Sequence, residues 1–207
     1  MSATTRYAAM SRRAAMTAAA LTTMVALAGC SGTGSGKAAE GAKVTVVEYA
    51  SVTCHVCAAW QEKNWEGFKT RYVDTDKVRY VFREIPTPPA EVAIAGFLIA
   101  RCAGENKYFD VVHELLASQE ELRGDPRATL FRVGNGAGLS NERVQQCITD
   151  EAALAAAEER AQAARAAGVD GTPTFFVNGT KVITPGSQSG TDLEDLSKAI
   201  EAELAKG

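Results

Sequence analysis

Cys54-His55-Val56-Cys57 places two thiols three residues apart. On a helix that spacing makes the side chains neighbours, so the sulfurs can close a small disulfide and reopen it. The thiolate is the nucleophile in such chemistry, and the unpaired N–H groups and positive dipole end of a helix N-terminus favour it. The sequence sets Cys54 at such a terminus, so the pair reads as a redox-active dithiol. His55, if protonated or donating a hydrogen bond, would hold the thiolate further. The competing readings are a structural or chance pair and half of a metal site. With only His55 and His113 in the chain and no second C-x-x-C, a closed zinc site lacks ligands, and no metal or other cofactor is expected. His113 falls mid-helix and reads as structural or surface.

The dithiol needs a strand before it and a helix after it. Val44 to Ala50 is apolar and β-branched, which predicts a buried strand. After Ser51-Val52-Thr53, Val56, Trp60, Phe68 and Tyr72 recur at multiples of four with Trp65 alongside, a helix from Cys54 to Tyr72. Glu48 shares a face with Val44, Val46 and Ala50; if that face is buried its carboxyl is costly without a partner. An edge-exposed Glu48 is the alternative.

Val78 to Ile85 reads as a second strand ended by Pro86-Thr87-Pro88-Pro89. Helices follow at Ala90–Cys102, Tyr108–Ser118, Pro126–Val133 with Asp125 as cap, Ser140–Ile148, and Glu151–Ala167 with Gly168 as C-cap. The last presents Glu158, Glu159, Arg160 and Arg165 as a solvated face. Thr174–Val177 and Thr180–Ile183 flank Asn178-Gly179, a type I′ hairpin signal. Pro173 heads the first of these strands without an N–H to give, which predicts a bend beside the site; a trans-proline in an ordinary loop is the alternative. Thr191-Asp192-Leu193-Glu194 reads as a capping box for a helix with Leu193, Leu196, Ile200 and Leu204 on one face. The order β, α, β, helical insertion, ββα predicts an α/β fold, a four-stranded mixed sheet with helices on both faces.

Arg6, Arg12 and Arg13 precede an apolar run from Ala14 to Ala28, with no acidic residue before Glu40, the pattern of a secretory signal. Leu27-Ala28-Gly29-Cys30 resembles the bacterial lipobox, which implies cleavage before a lipidated Cys30; an ordinary signal peptide is the alternative. Residues 31–41 form a Gly/Ser-rich flexible tether. Without residues 1–29 the chain keeps 19 Lys and Arg against 25 Asp and Glu, a net charge of −6 that argues against nucleic-acid binding. All four Met residues fall within those 29, leaving no Met-rich set for a copper carrier. Setting Cys30 aside leaves Cys102 and Cys147, which in an exported protein read as a structural disulfide; two free thiols or a second redox pair are the alternatives.

Residues 47–57, the Val81-Phe82-Arg83-Glu84 strand end and Gly171-Thr172-Pro173-Thr174-Phe175-Phe176-Val177-Asn178-Gly179 together resemble the DsbA-like branch of the thioredoxin superfamily. The resemblance spans about residues 43–205. It implies a thioredoxin-like fold split by a helical insertion: 43–85 and 171–207 form the thioredoxin-like part and 86–170 the insertion, after a signal peptide at 1–29 and a lipidated linker at 30–42. It implies that Cys54 is the exposed nucleophile, Cys57 the buried resolving cysteine and Pro173 a cis-proline facing them. Thr172 would offer backbone hydrogen bonds to an extended substrate, and Glu48 would assist proton transfer at Cys57. Many members carry proline then histidine between the cysteines; here His55-Val56 stands instead, which bears on redox direction.

The activity implied is thiol-disulfide oxidoreduction that introduces disulfides into exported proteins. Its partners would be thiol-containing substrates and a membrane protein that reoxidises the dithiol, at the extracytoplasmic side of the cell envelope. An envelope reductase or isomerase is the second reading, and a non-catalytic peptide- or metal-binding lipoprotein the third.

Overall fold

The computed structural model describes residues 41–206, together with the backbone of a short strand at 35–37. Strands β1 (Ser35–Lys37), β2 (Val44–Ala50), β3 (Val78–Glu84), β4 (Thr174–Val177) and β5 (Thr180–Val182) form one sheet in the order β1-β3-β2-β4-β5. β2 and β3 run parallel and the other neighbours antiparallel. Helix α1 (His55–Phe68), with a π-helical turn at Lys69–Val73, makes the crossover from β2 to β3. The insertion carries α2 (Ala90–Cys102), α3 (Glu105–Ala117), α4 (Gln119–Gly124), α5 (Pro126–Gly136), α6 (Asn141–Thr149) and α7 (Glu151–Ala166), and α8 (Leu193–Leu204) ends the described chain. None of the helices among the described residues is long and apolar enough to cross a membrane.

β2 alternates buried and half-buried positions along its whole length, so Val44, Val46, Glu48 and Ala50 face one way. Register sets Tyr80, Phe82 and Glu84 of β3 and Phe175 and Val177 of β4 on the same face. The core lies there. α1 brings Trp60 onto Phe175 at 4.5 Å between ring centroids and Trp65 onto Tyr80 at 5.1 Å, and α3 adds Phe109 against Tyr80. α8 buries Leu196 and Ile200. His113 packs edge-on against Trp65. Asn178 and Gly179 both take positive φ, as a type I′ turn requires.

Several boundaries differ from those read in the sequence. β1 lies within the stretch expected to be a flexible tether: an edge strand pairs through backbone groups alone, so Ser-Gly-Lys joins β3 without any hydrophobic alternation. The expected capping box does not form at α8. Asp192 is the N-cap but accepts no capping bond, and the Thr191 hydroxyl donates to the Val182 carbonyl at 2.7 Å, tying the helix entrance to β5. α4 was not foreseen; at six residues it is too short to show a period. On α7 the solvated-face reading holds for the exposed Glu158–Arg165 pair but fails for Arg160, which is drawn inward to the buried carboxylate of Glu84. Two arginines from different helices, Arg101 and Arg160, donate to Glu84 at 2.7 Å each, and the Tyr108 hydroxyl donates at 3.0 Å. The signal-peptide reading of residues 1–29 and Cys30 lie outside the described residues.

Candidate active site

The parallel β2–α1–β3 unit delivers the N-terminus of α1 to the end of β2. Cys54 is the N-cap there, in an extended conformation (φ −84°, ψ 111°). Its sulfur stands where a serine or aspartate oxygen usually caps a helix, and the Cys57 backbone N–H donates to it at 3.2 Å. Both cysteines are free thiols. Both are buried, Cys54 at 8% exposed and Cys57 at 1%, so the exposed position expected for Cys54 is not observed, and Cys54 is only the more accessible of the two.

The two thiols have pKa values pushed apart. A hydrogen bond from the Cys57 thiol does most to hold the Cys54 thiolate; burial opposes it, and the Thr172 side chain and the N–H groups of Cys57 and Val56 assist, bringing the pKa from 9.0 to about 6. Thr172 acts in both senses, because its carbonyl lies 3.4 Å from the same sulfur and accepts only from the protonated thiol. For Cys57, burial first and the neighbouring Cys54 second raise the pKa well above the ordinary thiol value, and the charge of Glu48 adds to this. The result is one thiolate and one thiol near neutral pH.

Glu48 is 5% exposed on the buried face of a central strand. Its Oε2 accepts from the Tyr80 hydroxyl at 2.5 Å. Burial raises its pKa from 4.5 to about 7, the Tyr80 bond opposes that, and the Cys54 charge adds to it. His55, the first residue of α1, is exposed. The largest contributions that hold the Cys54 thiolate come from Cys57, Thr172 and Val56.

The Thr172–Pro173 peptide is cis and brings the Thr172 carbonyl to the Cys54 sulfur. Residues far along the chain hold the loop before the dithiol. Gln119, 8% exposed at the start of α4, donates through Nε2 to the carbonyls of Val52 at 2.9 Å and Cys54 at 3.0 Å. Thr53 donates to the Thr87 carbonyl at 2.8 Å, and the Thr87 N–H donates to the Ser51 hydroxyl at 3.2 Å. Sequence reading missed Gln119 and Thr87, for no local pattern links residues 65 or 36 positions apart. A polar residue opening a short helix after an amphipathic one was the available signal.

Cys102 and Cys147 are joined by a disulfide between α2 and α6, with Cα atoms 6.1 Å apart. Among the described residues no group of three or more His, Cys, Asp or Glu is placed to hold a metal ion.

Comparison with known proteins agrees with this geometry. A Rickettsia conorii protein named a protein-disulfide oxidoreductase is 31% identical over 167 residues, 79% of this chain. The chain spans 59% of that relative's length. The solved structure of α-DsbA1 from Wolbachia pipientis superposes with a TM-score of 0.72 at 21% identity, covering 84% of this chain and 92% of the other. Oxidised BdbD from Bacillus subtilis superposes with a TM-score of 0.73 at 17% identity, covering 84% and 94%. The fold is thus the thioredoxin-like fold with a helical insertion seen in DsbA proteins. Residues 36–202 match the pattern of the thioredoxin family, and the chain belongs to that family.

Proposed function

We propose that the protein is a DsbA-like thiol-disulfide oxidoreductase that passes the Cys54–Cys57 disulfide to thiol-bearing exported proteins. The observation that carries this reading is the split between the two thiols. Cys54 is a helix-capping sulfur, the more accessible of two buried thiols, with a pKa of about 6, while the pKa of Cys57 is pushed upward.

A stabilised thiolate favours the dithiol over the disulfide, so the disulfide is readily given away. A substrate thiolate attacks the Cys54 sulfur of the disulfide. The Cys54–Cys57 bond breaks, a mixed disulfide forms, and Cys57 leaves as the thiolate, which takes up a proton because its pKa is high. Glu48, titrating near neutrality beneath the pair, is suited to supply that proton. A second substrate thiolate attacks the substrate sulfur of the mixed disulfide and releases Cys54 as a thiolate, a good leaving group at that pKa. The substrate leaves with one disulfide and the protein keeps two electrons as the dithiol.

Turnover requires an oxidant, which we assign to a membrane redox partner. Lipidation at Cys30, with the domain carried on the short linker outside the cytoplasmic membrane, would hold the dithiol near such a partner. Thr172 and Pro173 flank the sulfur and are the residues we assign to the substrate backbone.

Cys54→Ser is expected to abolish dithiol oxidation, and Cys57→Ser to accumulate mixed disulfides that non-reducing gels resolve. Full activity of Cys54→Ser would overturn the proposal.

A further inference from the structure

Two separate cavities among the described residues bear on the site, one at the Thr172–Pro173 segment and one at Thr53. One, of about 330 Å³, is bounded by Thr172, Pro173 and the Ser187–Thr191 loop. The other, of about 390 Å³, opens on the side of the helical insertion. Pro88, Pro89, Val92 and Leu122 give it apolar walls. Thr53, the residue before the nucleophile, and Gln119, whose amide holds the Cys54 carbonyl, form the side next to the dithiol. The exposed Arg123 stands at its rim.

We propose that this second cavity is a specificity subsite for an apolar side chain adjacent to the reacting cysteine of the substrate polypeptide, with Arg123 favouring an acidic residue beyond it. The inference rests on the thiol-disulfide reading above. A chain whose cysteine bonds to Cys54 runs past Thr53 on one side and Thr172 on the other. An extended chain projects alternate side chains to opposite faces, so a neighbour of the cysteine is presented to the insertion side. The cavity there is apolar and at the small end of ligand pockets, about 300–1,000 Å³, enough for one side chain of leucine or phenylalanine size with room to spare. An aqueous apolar recess gains most from filling by an apolar group. The rim supplies a cation, in a chain whose overall charge is negative.

The test uses the purified oxidised protein and synthetic peptides carrying two cysteines on a flexible spacer. Each cysteine is flanked either by leucine and then glutamate or by serine and then lysine. The subsite predicts oxidation of the Leu/Glu peptide about tenfold faster than the Ser/Lys peptide, a difference of about 1.4 kcal/mol. Val92→Glu sits in the first turn of α2, where an acidic residue suits the helix dipole, but Val92 also packs partly against the core, so the variant is read only where its circular dichroism and its oxidation of dithiothreitol match the parent; it should then remove most of that preference. Arg123→Glu should cut it by about threefold, the scale of an exposed ion pair.

Oxidation of dithiothreitol by the unaltered protein reads the activity alone. If dithiothreitol is oxidised but the two peptides react equally, the subsite is overturned while the function stands. If both variants keep the full preference, it lies elsewhere and the subsite is likewise overturned. If dithiothreitol is not oxidised at all, the function falls, and the subsite with it.

Discussion

A carboxyl 5% exposed beside two thiols has its ionisation set by burial, and at Glu48 the pKa moves from 4.5 to about 7. The fold therefore prefers the protonated form. Its stabilising effect is complete below the unfolded value of 4.5 and is lost as pH rises through about 7, a change on the order of 3 kcal/mol across that window. Glu48→Gln mimics the protonated form and can still accept from Tyr80. Denaturant unfolding should find the variant close to the parent at pH 4 and more stable by that order at pH 8. In the same variant, release of Cys57 in mixed-disulfide formation should slow and lose its inflection near pH 7. A parent and variant with parallel stability profiles from pH 4 to 8 would remove Glu48 from the proposed proton path.

Between elements, the Glu84 cluster and the Cys102–Cys147 disulfide fasten the insertion to the sheet and to itself. Glu84 at the end of β3 binds Arg101 of α2, Tyr108 of α3 and Arg160 of α7. Removing the acid strands two arginines at a largely buried position, and breaking such a cluster typically costs about 3–5 kcal/mol. Glu84→Ala should lower the unfolding free energy by that amount in urea titrations. The disulfide closes a span of 45 residues. In the chain-entropy model its loss costs about 4 kcal/mol, so replacing both cysteines by serine should shift the urea midpoint comparably while dithiol titration at Cys54 is unchanged.

What the sequence revealed about these elements was local. The alternation of Val44 to Ala50, the four-residue spacing from Val56 to Tyr72, the Cys54/Cys57 pair and Asn178-Gly179 each carry their meaning within a few residues. The bonds from Gln119 to the Cys54 carbonyl and from Arg160 to Glu84 join residues 65 and 76 positions apart. Nothing in the composition of α7 distinguishes the arginine that turns inward from its solvated neighbours. The lost capping box has the same origin: the Thr191 hydroxyl is tied to the Val182 carbonyl on β5, and the helix starts one residue later, with Asp192 as its N-cap.

At the scale of the molecule, the sheet, the insertion and the Thr172–Pro173 segment converge on one sulfur. The parallel β2–β3 pair fixes where α1 begins, α4 braces the loop through Gln119, and the segment before β4 supplies the Thr172 carbonyl. Each of these arrangements acts on the balance between dithiol and disulfide, and that balance sets the direction of exchange. The measurement that reads it directly is the equilibrium reduction potential of Cys54/Cys57, poised in glutathione buffers at pH 7. A thiolate held at a pKa of about 6 beside a protonated partner predicts an oxidising couple, about −120 to −180 mV. A potential of about −230 to −270 mV would contradict it, because the dithiol would then be the form that gives electrons away.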